Sequence, residues 1–283
     1  MKKMILLIVI AASFFACDNE SKTETAKFFN HENTDISKIP TEWINNAKDK
    51  LHIAYGHTSH GSQLITGMTG LMNWKGDLYK WHNGDLEGAL DIRDRIMSGD
   101  LGHNGSLDWE GATRSLLDDD RNSDINVVIW SWCGGVSDNT EEGINIYLNA
   151  MNKLENDYPD VQFVYMTGHL DGTGTKGNLH VRNEQIRKYC KDNNKILYDF
   201  ANIESYDPDG NYYLDKNAND ACAYDSNGDG SRDKNWAIDW QNAHTVNVDW
   251  YECSAAHSQA LNGNLKAYAA WYLWARLAGW DGK

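Results

Sequence analysis

Leu51-His52-Ile53-Ala54-Tyr55, running straight into Gly56-His57-Thr58-Ser59-His60-Gly61-Ser62-Gln63, decides how the rest of the sequence is read. A short apolar run that ends in a glycine-punctuated turn reads as a buried strand. In an open parallel sheet, ligands bind just outside the carboxyl ends of such strands. Three further runs have the same character, at residues 126–131, 161–167 and 195–200. Helical patterns lie between and after them. Residues 141–155 carry Ile144, Leu148, Met151 and Leu154 near helical spacing, and residues 178–191 carry Val181, Ile186 and Tyr189. Residues 261–277 are apolar nearly all round and stop at Gly279. Strands alternating with helices predict an α/β fold, a parallel sheet between two helix layers.

The stretch 204–247 breaks this rhythm and is crowded with Asp, Asn, Gly and Tyr. It is far longer than an ordinary connection, which predicts a functional or ion-held insertion before the last helix. Within it, Asp225, Asn227, Asp229, Ser231 and Asp233 place oxygen ligands at alternate positions, with Gly230 sixth, as at the front of a calcium loop. The twelfth position is Trp236 rather than Glu, so remaining ligands must come from elsewhere, with Asp215 and Asp220 as candidates. A structural calcium ion is expected, and no organic cofactor.

At the amino end, Lys2 and Lys3 precede an apolar run from Met4 to Ala12, and Ser13-Phe14-Phe15-Ala16 leads into Cys17. This reads as a lipoprotein signal peptide over 1–16, with a lipid anchor on Cys17. Residues 17–40 read as a polar, flexible tether and 41–283 as one domain. The chain is then exported and lipid-anchored at a bacterial cell envelope, or secreted if not lipidated, with the membrane touched only through the lipid.

The formal charge is −15; loss of 1–16 removes two lysines and no acid, which takes it to −17. Such a surface repels phosphate backbones and argues against nucleic acid as a partner. Trp (12) and Tyr (14) far outnumber Phe (6), a bias toward rings with a polar edge that suits stacking on sugars as well as core filling. Trp74, Trp81, Trp109 and Trp132 are candidates for such a platform. Besides Cys17 the cysteines are 133, 190, 222 and 253; in an oxidising compartment the preferred bridge is Cys222 with Cys253, because they bracket the loop-rich segment.

The turn after the first run offers Ser59 as a nucleophile, with His57 and His60 flanking it and a helix starting near Ser62. After the second run comes Trp132-Cys133-Gly134-Gly135, whose glycines permit close backbone approach to a ligand, and Gly102 and Gly105 punctuate another turn. His169 follows the third run, and His257 lies shortly before the last helix. This order resembles the SGNH (GDSL-like) hydrolase superfamily, in a divergent form with an H-x-S-x-G serine turn. The resemblance covers most of residues 51–280. It implies a flavodoxin-like three-layer domain, Ser59 as nucleophile, His257 as general base, and an oxyanion hole lined by Gly102 or Gly105 with Gly134 and Gly135. His57, His60, His169 and Trp132 would border the substrate.

Two positions depart from that family. No Asn side chain occupies 132–135, and Ser254 stands where an Asp would precede the histidine, leaving Asp249 or Glu252 as substitutes. The expected function is a serine esterase or deacylase acting on an acylated carbohydrate or small molecule. The alternatives are a non-catalytic carbohydrate-binding lipoprotein, favoured by the missing Asp, and a metal-dependent carbohydrate-active enzyme with His57, His60 and His169 as ligands.

Overall fold

The computed structural model describes residues 27–283. The expected signal peptide and the expected lipid site, Cys17, lie outside the described residues. Seven strands form one all-parallel sheet: β1 (Lys27–Phe29), β2 (His52–Gly56), β3 (Trp81–His82), β4 (Leu90–Asp94), β5 (Val127–Trp130), β6 (Gln162–Met166) and β7 (Ile196–Tyr198). Their order across the sheet is β1-β7-β6-β5-β2-β4-β3. Without the two edge strands β1 and β3, the order is that of a flavodoxin-like sheet, reversing direction between β2 and β5. The four strands read from the sequence are all present. The three that were not are short edge or near-edge strands, in which Trp81, Leu90 and Ile92 give too brief a pattern to stand out.

Residues 27–40 correct the expected tether. Lys27, Phe28 and Phe29 pair in register with Ile196, Leu197 and Tyr198, and Phe29 and Ile39 are buried. The Phe pair is the reason: a strand can bury it against the sheet edge, whereas a solvated tether would leave it in water.

Helices α1 (Thr41–Lys50), α2 (Ser62–Lys75) and α8 (Ala260–Leu277) pack together as one layer. Helices α3 (Asp108–Leu117), α4 (Glu141–Asp157) and α5 (Asn178–Asp192) form the other. The N-terminus of α4 is set by Thr140, whose side chain accepts from Gly143 N at 3.1 Å. Helix α8 has 15 of its 18 residues buried, so it is a core element and not a surface helix. No helix of the described residues is long and apolar enough to cross a membrane.

Helix α6 (Phe200–Glu204) leads into the insertion, which holds a two-stranded antiparallel ribbon of β8 (Ala223–Tyr224) and β9 (Lys234–Asn235), and α7 (Trp236–Ala243). The expected calcium loop is the tip of that ribbon. Asp225 is buried and accepts from the amides of Asn227 at 3.3 Å, Gly228 at 2.7 Å and Gly230 at 2.8 Å. Asp233 turns back to Ser226, and Asp229 to Ser231, so the loop is braced by its own hydrogen bonds.

Two expectations fail in the core. Trp109 and Trp132 are buried and pack against Tyr147, with ring centroids at 5.6 and 4.8 Å, so neither can serve as a sugar platform. The indole of Trp132 donates to Met166 O at 2.8 Å, which satisfies the polar edge inside the protein. Cys222 and Cys253 are free thiols, as are Cys133 and Cys190. Cys222 faces Ser258 and Cys253 faces the α8 backbone, so each finds a local partner instead of the other.

Helices α2 and α8 approach each other at two glycines, where a Cβ on Gly67 would run into the carbonyl oxygen of Gly263. Gly67→Ala should therefore destabilise the domain by about 1–3 kcal/mol despite the better helix propensity of alanine. Thermal or urea unfolding of the variant measures this; an unchanged midpoint would show that the two helices are not in backbone contact.

Candidate active site

The sheet reverses its winding between β2 and β5, so the turns that leave these two strands splay apart and open a crevice at their carboxyl ends. The turn after β2 carries Ser59 and His60, and the turn after β5 carries Cys133. They meet there: Ser59 Oγ lies 3.3 Å from Cys133 Sγ, and His60 Nδ1 lies 3.1 Å from the same sulfur. The other nitrogen of His60, Nε2, lies 3.0 Å from Asp220 Oδ2. A thiol, an imidazole and a carboxylate thus stand in one hydrogen-bonded line, with a hydroxyl beside the sulfur.

Each member is held from outside the line. Asp220 N donates to Leu170 O at 3.0 Å, and Ala221 N donates to Asp220 Oδ1 at 2.9 Å. Cys133 N donates to Asp100 Oδ1 at 3.1 Å, while His103 Nε2 donates to Cys133 O at 3.0 Å. His103 itself sits between Asp100 at 2.7 Å and Asp138 at 2.8 Å. Gly61 permits the tight turn, since a Cβ there would strike the His57 and Ser131 side chains.

Three imidazoles stack in this crevice. His60 lies against His169 with centroids 3.6 Å apart and planes 3° apart, and against His257 at 4.6 Å and 24°. His169 Nδ1 faces Leu170 O at 3.0 Å, and Leu170 N donates to Glu204 Oε2 at 2.8 Å. Below them, Lys266 on α8 is fully buried and bonds both Glu204 Oε1, at 2.5 Å, and Gln63 Oε1. Gln63 Nε2 in turn donates to Ala256 O at 2.5 Å, next to His257.

The charges follow from these contacts. Burial alone would disfavour the Cys133 thiolate, but the hydroxyls of Ser59 and Thr58 and then His60 outweigh it and lower the thiol to about 7. Burial pulls His60 down, and its bonds to Asp220 and Cys133 more than compensate, so its pKa is raised. His169 is lowered by burial, with the neighbouring His60 adding to the effect. By contrast, burial pushes the Cys222 and Cys253 thiols up to about 12.

Several expected residues are placed differently. No hydrogen bond joins Ser59 to His257 among the described residues; His257 is exposed, at φ 64°, with its ring on His60. Asp249 is exposed and accepts from Thr245 N at 2.9 Å, closing a local turn, so it does not orient His257. His57 is buried, with Nε2 2.5 Å from Asp94 Oδ1 and Nδ1 2.7 Å from Thr58 O. Both its nitrogens are taken up by protein acceptors, and His57, expected as a metal ligand with His60 and His169, is not part of the cluster of His60, His169 and Asp220.

Of the expected oxyanion donors, the Gly105 amide is spent on Gly102 O at 3.1 Å, and Gly102 sits over the Trp132 ring. The Gly134 and Gly135 amides have no protein acceptor among the described residues. Asn139 bonds the carbonyls of Gly102 and Gly135 and so laces the two glycine turns together.

His60, His169 and Asp220 each present a donor atom within 4.8 Å of the others, and could hold a cation. Doing so requires breaking the His60–Asp220 bond and unstacking the rings, because parallel imidazoles direct their lone pairs alongside one another instead of toward a common point. The three Asp carboxylates of the 225–233 loop form no such cluster.

Asp100 and His103 have no marked place in the sequence pattern, and Asp220, expected as a candidate calcium ligand, is instead bonded to His60 Nε2 at 3.0 Å. Asp220 lies in the long insertion and reaches His60 across 160 residues, a distance no local spacing reports. No protein-family model matches the chain, and no curated protein matches it significantly.

Alkylation of Cys133 by iodoacetamide should follow a titration with a midpoint near 7, slow below it where the thiol is protonated and fast above it. In His60→Gln the midpoint should move up, since a neutral amide stabilises the thiolate less than an imidazolium. A wild-type midpoint at the ordinary thiol value would contradict the hydrogen-bonded arrangement.

Proposed function

We propose that this protein is an acyl-ester hydrolase working at the crevice between the carboxyl ends of β2 and β5. The observation that carries the reading is the His60–Asp220 pair, an imidazole oriented by a carboxylate and set beside two nucleophilic side chains, Ser59 and Cys133. A nucleophile, a base within hydrogen-bond reach and a third group that fixes the base form the minimum set for acyl transfer through a covalent intermediate. The resemblance to SGNH-type hydrolases supports the same reaction class, with His60 rather than His257 as the base that the geometry favours. The Gly134 and Gly135 amides are the candidate oxyanion donors.

An acyl substituent on an extracellular glycan is the substrate class we favour, on the ground of export, a lipid anchor at Cys17 and the wealth of Trp and Tyr. Of the expected platform residues only Trp74 and Trp81 stay partly buried, and they lie away from the crevice, Trp74 at the far end of α2 and Trp81 at the start of the edge strand β3, so neither supports the glycan reading. The test is turnover of p-nitrophenyl acetate and release of acetate from acetylated oligosaccharides. His60→Gln and Asp220→Asn should each lower kcat, His60→Gln by about 10²–10⁴-fold. Wild-type protein that releases no acid from any acyl ester, while binding the oligosaccharide, would replace the enzyme with a carbohydrate-binding module.

Calcium at the 225–233 loop belongs to the same reading, as a brace for the insertion that delivers Asp220. The sequence spacing and the inward Asp225 support it. Millimolar calcium should raise the melting temperature of the wild type and leave that of Asp225→Ala unmoved, as followed by differential scanning fluorimetry. Equal shifts in both would place the ion elsewhere.

A further inference from the structure

Which of the two nucleophilic atoms attacks is a separate question, and its answer rests on the acyl-hydrolase reading. We infer that Cys133 is the nucleophile, with His60 as its general base and Asp220 as the residue that orients His60, so that the domain runs thiol chemistry where the sequence resemblance implies serine chemistry.

The geometry separates the candidates. His60 Nδ1 is bonded to the sulfur at 3.1 Å, whereas the only side-chain partner of Ser59 Oγ is that sulfur, at 3.3 Å. Ser59 therefore has no base among the described residues, and its hydroxyl is placed to donate to a thiolate. His257, the other candidate base, uses its ring to cover the outer face of His60. Asp220 Oδ2 at 3.0 Å from Nε2 fixes the His60 ring so that Nδ1 faces the sulfur. Cys133 is itself held on both sides of its own peptide, by Asp100 at the amide and His103 at the carbonyl, as an atom that must keep its position needs to be. The other three described cysteines lack an imidazole neighbour, and burial raises the pKa of each thiol.

The chemistry balances without a cofactor. His60 accepts the thiol proton, the Cys133 sulfur forms a bond to the acyl carbon, and the carbonyl pair moves onto oxygen. Collapse breaks the bond from the acyl carbon to the alcohol oxygen, and the leaving alkoxide takes the proton from His60, giving a Cys133 thioester and a free alcohol. His60 then draws a proton from water, hydroxide attacks the thioester, and the sulfur leaves as thiolate with release of the carboxylic acid. Ser59 donates to the sulfur in its anionic states and forms no bond to carbon.

The experiment uses the mature protein with p-nitrophenyl acetate, acid-quenched during turnover and mapped by tandem mass spectrometry. An acetyl group on the peptide holding Cys133, released by neutral hydroxylamine as thioesters are, is the expected result. Cys133→Ala should lower kcat by at least about 10³-fold, while Ser59→Ala should keep a substantial fraction of it. Cys133→Ser, nearly isosteric, checks that the loss follows the sulfur and not the fold, with melting temperatures read alongside. An acetyl group on Ser59, with turnover persisting in Cys133→Ala, overturns the assignment and leaves the hydrolase reading standing. Absence of both turnover and adduct overturns both.

Discussion

The buried ammonium of Lys266 is the constraint on which the crevice depends. It has no access to water, and burial lowers its pKa against the opposing pull of Glu204. A charge in that position is tolerable only if its partners are fixed, and removing one partner of such a pair typically costs about 3–5 kcal/mol. Its two partners are also the supports of the site. Glu204 uses its second oxygen to hold the Leu170 amide, and Leu170 O in turn anchors both the His169 ring and the Asp220 amide. Gln63 uses its amide nitrogen to hold Ala256 O beside His257. The central helix thus fixes, through one ammonium, the loops that bring three of the functional side chains over His60.

Above that floor the sheet does the gathering. Strands β2 and β5 are neighbours whose chains depart toward opposite helix layers, which opens a space between their carboxyl ends. The residues of those turns are small or polar, and their hydrogen bonds close on each other: Ser59 and His60 from one side, Cys133 from the other. The insertion closes the third side by delivering Asp220. Its length of chain is then explained by reach: the carboxylate must come from the far end of the sheet, over β6, to the second nitrogen of His60. The brace at Asp225, a few residues beyond, keeps the ribbon that follows Asp220 from loosening.

The electrostatic consequence is local. The molecule is strongly acidic as a whole, which by itself would raise a thiol pKa, yet Cys133 goes the other way. Hydrogen bonds at 3.1 and 3.3 Å act on the sulfur at short range, while distant carboxylates are screened by solvent. Burial lowers the pKa of the stacked His169, and the adjacent His60, whose own pKa is raised, adds to that effect because two touching rings cannot both carry charge cheaply.

The sequence by itself determined the α/β class, the four central strands, the two long surface helices and the terminal apolar helix, because burial on both faces and helical spacing are local patterns. It also marked the turn at 56–63 and the turn at Cys133 as following strand ends, and these two turns do meet. It did not reveal β1, where two phenylalanines in a polar stretch depend for their burial on a partner strand 169 positions away, with Phe29 opposite Tyr198. Nor could composition distinguish Trp109 and Trp132, which fill the core, from aromatic residues left for a ligand. The pairing of functional groups was decided by tertiary structure alone. Which histidine meets which nucleophile, and that Asp220 rather than Asp249 stands behind the imidazole, follow from strand order and from the path of the insertion over the sheet. Such contacts join residues 73 and 160 positions apart, and no periodicity or spacing in a chain encodes a contact made only when the sheet has been assembled.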